Sequence, residues 1–122
     1  YPEEEKMIVN IGSGAANKPI PAWNTYCAAK SALDMLTEVI ANEDHERLNI
    51  FSVHPGIVET NMQEEIRKSD AKHFPLLSKF RAYHNNNELE KPDIVAKKIL
   101  KIINNSNDFD EIILSVRDID VN

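Results

Sequence analysis

Apolar residues follow two rhythms along this chain. Met7-Ile8-Val9-Asn10-Ile11 is a short run rich in β-branched side chains that stops at Gly12-Ser13-Gly14. Such a run predicts a strand covered on both faces, as in a parallel sheet. Pro19 and Pro21 mark a loop. Over 22–42 the period lengthens to that of a helix. Tyr26, Ala29, Leu33, Leu36 and Ile40 fall on one stripe, broadened by Trp23 and the apolar residues among 35–39. Asn24 or Thr25 is placed to cap its start. A second buried strand is predicted over 48–53, ended by Pro55-Gly56. The stretch 60–90 is polar with scattered large apolar residues, which predicts short helices in a long excursion. Pro92 then sits where a helix begins, followed at helical spacing by Ile94, Val95, Ile99, Ile102 and Ile103. A third strand is predicted over 111–116.

The order is β-α-β-excursion-α-β. Strands alternating with helices predict an α/β fold with a parallel sheet and helices on its faces. Three strands leave such a sheet unfinished on one side, so the pattern reads as half of a doubly wound fold. Composition agrees with one soluble domain: 122 residues, 42% apolar and 28% charged. The net charge is −6, and neither that balance nor any basic run offers a footprint for nucleic acid. No apolar stretch reaches the ~18 residues that span a bilayer. Cys27 is the only cysteine, which fits a reducing, cytoplasmic compartment. The four histidines show no metal-ligand spacing, so no metal is expected. Only Gly12, Gly14 and Gly56 occur, which excludes a complete P-loop or G-x-G-x-x-G fingerprint within this chain. Tyr1-Pro2-Glu3 reads as a chain cut into rather than begun.

Ligands of open α/β sheets bind at the carboxyl ends of the strands. Ser13 follows the first predicted strand and Pro55-Gly56 follows the second. Between them the helix carries Tyr26 and, one turn on, Lys30. Residues at that spacing share a helical face. A neighbouring ammonium favours the ionised form of a phenol, which suits it to exchange a proton with a carbonyl or alcohol oxygen. A serine hydroxyl aimed at the same oxygen would polarise it.

This arrangement, Ser13 followed by Tyr26-Cys27-Ala28-Ala29-Lys30, resembles the Ser…Tyr-x-x-x-Lys core of the short-chain dehydrogenases/reductases. Ile8-Val9-Asn10-Ile11-Gly12-Ser13 is similar to that family's serine-bearing strand, and Pro55-Gly56-Ile57-Val58-Glu59-Thr60 to its P-G-x-V-x-T segment. Ser13-Gly14-Ala15-Ala16, Trp23-Asn24-Thr25-Tyr26-Cys27 and Thr60-Asn61-Met62-Gln63 look most like its benzil reductase and sepiapterin-reductase-like branch. The resemblance covers nearly the whole chain and maps it onto the family's C-terminal half. It implies that 1–122 is the catalytic half of one Rossmann-like domain, with 61–90 as a substrate-binding lid.

The same resemblance implies roles. Tyr26 would be the general acid in carbonyl reduction, and Lys30 would bind the nicotinamide ribose and tune Tyr26. Ser13 would hold the substrate oxygen. Val58 and Thr60 would contact the nicotinamide carboxamide, with Pro55 and Gly56 shaping that turn. Trp23 and Met62 would join Ser13 in binding substrate, and Phe74, Leu77 and Phe80 would line an apolar pocket or else serve as core or subunit contacts. The cofactor would be NADP, favoured over NAD because the branch it resembles uses it. The substrate would be a ketone or diketone, and the long helix would build a homodimer or homotetramer.

Departures from the pattern stand beside these expectations. Gly12 replaces the first serine of a usual pair, and His54 precedes Pro55 where Ala or Asn is common. The glycine-rich phosphate turn and the family's catalytic asparagine, which would precede this segment, do not occur in it, so the segment alone is expected to be inactive. Taken singly, Ser13 also reads as a strand end, Tyr26 as a core aromatic, Lys30 as a surface lysine, Cys27 as a small buried hydrophobe, and His54 as a structural strand-end residue. A non-catalytic Rossmann-like remnant or interaction module is the competing reading.

Overall fold

The computed structural model describes residues 3–121. Strand β1 (Lys6–Ile11) leads through a short 3-10 turn (Gly14–Ala16) to helix α1 (Asn24–Asn42) and strand β2 (Leu48–His54). Helices α2 (Asn61–Arg67), α3 (Leu77–Asn85) and α4 (Pro92–Asn104) follow, then strand β3 (Ile113–Ser115). The three strands are parallel in the order β1-β2-β3. β1 pairs along its whole length, from Lys6 opposite Leu48 to Ile11 opposite Val53. β3 pairs only with 52–54 of β2, so it is shorter than the hydrophobic run suggests, and Val116 already belongs to the next 3-10 turn.

Because successive strand residues face opposite sides, each face meets a different helix. Asn10, Ser52 and His54 turn to α1, where their side chains are hydrogen-bonded. Phe51 and Val53 turn the other way and pack with Val95 and Ile102 of α4, with Leu114, Val116 and Ile119 completing that core. Pro92 opens α4 at its first turn, where its missing N–H costs nothing.

Three sequence expectations are corrected here. β1 is not covered on both faces: Ile8 is 41% and Ile11 47% exposed, because β1 has a neighbouring strand on one side only. The apolar stripe drawn on α1 is also rotated from the true contact face. Leu36, Met35 and Val39 are exposed, whereas the buried residue of this helix is Thr37. The seam that meets the sheet runs through Lys30, Asp34 and Thr37, and each is matched by a polar partner. Lys30 Nζ donates to the Ile11 carbonyl (2.9 Å), Asp34 accepts from Ser52 (2.6 Å), and Thr37 Oγ1 accepts from Asn10 Nδ2 (2.9 Å). Hydropathy could not find this seam because its partners satisfy one another. The start of α1 differs too. Trp23 is its N-cap and makes no side-chain cap bond, while Asn24 Oδ1 accepts from the Thr25 N–H.

The excursion between β2 and α4 is clamped at its base. Val58 and Glu90 form an isolated parallel bridge, with Glu59 N–H donating to the Glu90 carbonyl and Glu90 N–H to the Ile57 carbonyl. Above this clamp α2 and α3 enclose a second, small core of Phe74, Leu77 and Phe80, against which Trp23 of the α1 start and Ile66 pack. No described helix is long and apolar enough to cross a membrane.

Candidate active site

A cleft of about 700 Å³ opens at the carboxyl ends of the strands. Its floor is made by the turn after β1 and by the His54–Val58 segment after β2, with α1 on one side and the α2–α3 excursion above. The structure brings Ser13, Tyr26 and Lys30 to its lining, together with Pro55, Gly56, Val58 and Thr60. Trp23 and Met62 line it as well. Phe74 and Leu77 do not: they are 4% and 2% exposed in the core behind the wall, and only Phe80 of that apolar group also reaches the cleft.

Local structure fixes each of these groups. Ser13 leaves β1 in extended conformation and its Oγ accepts from Ala15 N–H at 3.1 Å, which ties down the turn while leaving the hydroxyl proton for another acceptor. Tyr26 lies in the first turn of α1, with the Trp23 ring edge-on to it at 5.3 Å. Trp23 in turn stacks on Phe74 at 5.3 Å and 9°, so the second core holds the aromatic wall beside the phenol. Lys30 Nζ lies 5.7 Å from the centre of the Tyr26 ring while bonded to Ile11 O. One ammonium therefore spans the phenol and the end of β1. Gly56 has φ +74°, a left-handed turn that a side chain would strain. Thr60 Oγ1 accepts from Gln63 N–H and starts α2 at the rim.

Other lining residues carried no warning in the sequence. Arg117, in the turn after β3, packs along Gly56, its Nε 3.5 Å from where a Cβ there would stand. Gln63 is buried on the α2 side with its carboxamide oxygen unpartnered. Beneath the floor His54 Nε2 lies 2.9 Å from Asp34 Oδ2, and both side chains are largely buried. The one signal for that pair was the unusual histidine before Pro55.

A dinucleotide's nicotinamide end fits what these residues offer. The floor is backbone-rich at Gly12, Gly14 and Gly56, and a Cβ on Gly14 would meet nothing within 4 Å, so a flat ring and ribose have room to approach. Lys30 would be the cation for the ribose hydroxyls of such a group.

Residues 3–71 match the family model described as short chain dehydrogenase. The chain is 36% identical over 102 residues to the benzil reductase ((S)-benzoin forming) of Bacillus subtilis (strain 168), covering 81% of this chain and 42% of that protein. It is 34% identical over 102 residues to the sepiapterin reductase of Rattus norvegicus, covering 84% of this chain and 38% of that one. Among solved structures, a short chain dehydrogenases/reductase from Saccharomyces cerevisiae superposes with a TM-score of 0.75 at 27% identity, over 92% of this chain and 46% of that one. The KRED1-Pglu enzyme gives a TM-score of 0.75 at 28% identity, over 81% of this chain and 42% of that one. The chain thus spans about two fifths of the length of these curated relatives.

Proposed function

The chain belongs to the short chain dehydrogenase family, and from that premise we propose that it carries the chemical half of an NAD(P)H-dependent reductase of ketones or diketones. The observation that carries this reading is the shared cleft of Ser13, Tyr26 and Lys30. The benzil reductase name of a relative supports an aromatic diketone as the first substrate to try. The cofactor, when bound, supplies the hydride; this chain's residues orient the partners and manage the proton. Ser13 donates its free hydroxyl proton to the substrate oxygen and fixes its position. Tyr26 gives the phenolic proton to that oxygen as the carbonyl carbon is reduced. Lys30, held by Ile11 O, balances the charge left on the phenol and anchors the ribose. Val58 and Thr60 face the carboxamide across the Pro55-Gly56 turn, while Trp23 and Met62 hold the apolar body of the substrate. NADPH is the preferred donor in this reading. The protein works in the cytoplasm as a homodimer or homotetramer, for which the exposed Met35, Leu36 and Val39 on α1 provide an apolar surface.

The test is NADPH oxidation by the full-length protein with benzil, comparing wild type with Tyr26→Phe, and NADPH with NADH. Losing the proton donor is expected to cost roughly 10²–10⁴-fold in kcat. Equal rates in wild type and variant would remove Tyr26 from its role. Absence of turnover with every carbonyl tried, together with no binding of either cofactor, would favour the non-catalytic module.

A further inference from the structure

Gly12 and His54, the two positions where the chain departs from the pattern it resembles, meet in the fold. A Cβ on Gly12 would stand 2.6 Å from His54 Cδ2 and 2.6 Å from Ser52 Oγ. The imidazole, together with the Ser52 hydroxyl, therefore occupies the space that any side chain at position 12 would need. It is also held in place. Its Nε2 lies 2.9 Å from Asp34 Oδ2, while Asp34 Oδ1 accepts from Ser52 Oγ at 2.6 Å. Asp34 itself sits one helical turn after Lys30, whose ammonium binds the Ile11 carbonyl. The two turns that form the cleft floor start from this unit: Gly12 is followed by Ser13, and His54 by Pro55-Gly56.

We propose that His54, anchored by Asp34, is a positioning residue for the reaction. It sets the spacing between the Ser13 turn and the Pro55-Gly56 turn, and so places the Ser13 hydroxyl over the reacting carbonyl. Gly12 is the necessary counterpart, because only a residue without Cβ lets the imidazole lie there. Neither residue exchanges a proton with substrate. The inference rests on the reductase reading above, and its effect falls on the geometry of a step in which a displacement of about 1 Å can cost as much as 10²-fold.

The experiment measures kcat and KM for benzil and NADPH in the full-length protein and in the Gly12→Ser, His54→Ala, Asp34→Ala, Asp34→Ala/His54→Ala and Gly12→Ser/His54→Ala variants. His54→Ala is expected to lower kcat about tenfold with both KM values within about threefold, since positioning acts on the transition state. Asp34→Ala should match it, and combining the two should add nothing, because they act as one unit. Gly12→Ser should lose at least as much, or fail to fold, and adding His54→Ala should recover activity toward the level of His54→Ala alone, the remaining crowding being with Ser52 Oγ. The fall in kcat at nearly unchanged KM in His54→Ala is what a merely stabilising histidine would not produce. Wild-type kcat in Gly12→Ser overturns the proposal, as does a Gly12→Ser defect that His54→Ala leaves unchanged. A loss confined to melting temperature, with kcat intact, overturns it while the reductase reading stands. No turnover in the wild type removes that reading and this inference together.

Discussion

Gly56 is the glycine whose own backbone conformation calls for it. Its φ of +74° belongs to the left-handed region, and the nearest atom to an added Cβ is Arg117 Nε at an ordinary 3.5 Å. The cost of Gly56→Ala is therefore conformational rather than steric, and about 1–3 kcal/mol is expected. Urea titration of wild type and variant measures it; an unchanged midpoint would mean that the turn relaxes freely. Gly12 is the opposite case, limited by crowding and not by its own conformation. At this scale the sequence was informative wherever chemistry is tied to short spacing. Ser13, Tyr26, Lys30 and Pro55-Gly56 could all be picked out by eye, and the fold gathers them in one cleft. It was silent on Asp34, Ser52 and Arg117, since a contact between residues far apart in the chain leaves no local trace.

Among the elements, α2 depends most clearly on one side chain. Seven residues make fewer than two full turns, too few for intrinsic stability. Thr60 Oγ1 accepts from Gln63 N–H at its start, at 3.4 Å. Thr60→Ala should cost about 1 kcal/mol and speed amide exchange in the first turn of α2 without touching α4; equal exchange rates in the two proteins would show that the cap contributes nothing. Element order and type were legible throughout, because strand and helix periods differ so plainly. The orientation of α1 was not. Its sheet-facing seam is polar and internally satisfied, so counting apolar residues placed Leu36 inward when it is exposed. β3 ran short for a related reason: Ile112 and Val116 read as strand by composition, but pairing with β2 reaches only Ile113–Ser115.

For the molecule as a whole, the buried apolar residues fall into two clusters, which are expected to act as separate stability units. Val53 and Ile102 are completely buried between sheet and α4. Ile102→Ala is expected to destabilise the fold by about 2–5 kcal/mol. Phe74→Ala should instead loosen the excursion and the stacked Trp23, raising KM for substrate more than it lowers the global melting temperature. A global loss from Phe74→Ala as large as that from Ile102→Ala would show one cooperative core.

The exposed outer margin of β1 has a practical consequence for anyone preparing this polypeptide. Its N–H and C=O groups on that side are not spent on a neighbouring strand, and Ile8 and Ile11 stand beside them in solvent. Such margins recruit strands from other molecules. When residues 1–122 are produced by themselves, precipitation that steepens with protein concentration is expected. Lys or Glu in place of Ile8 should keep the material in solution, as light scattering on a dilution series would reveal.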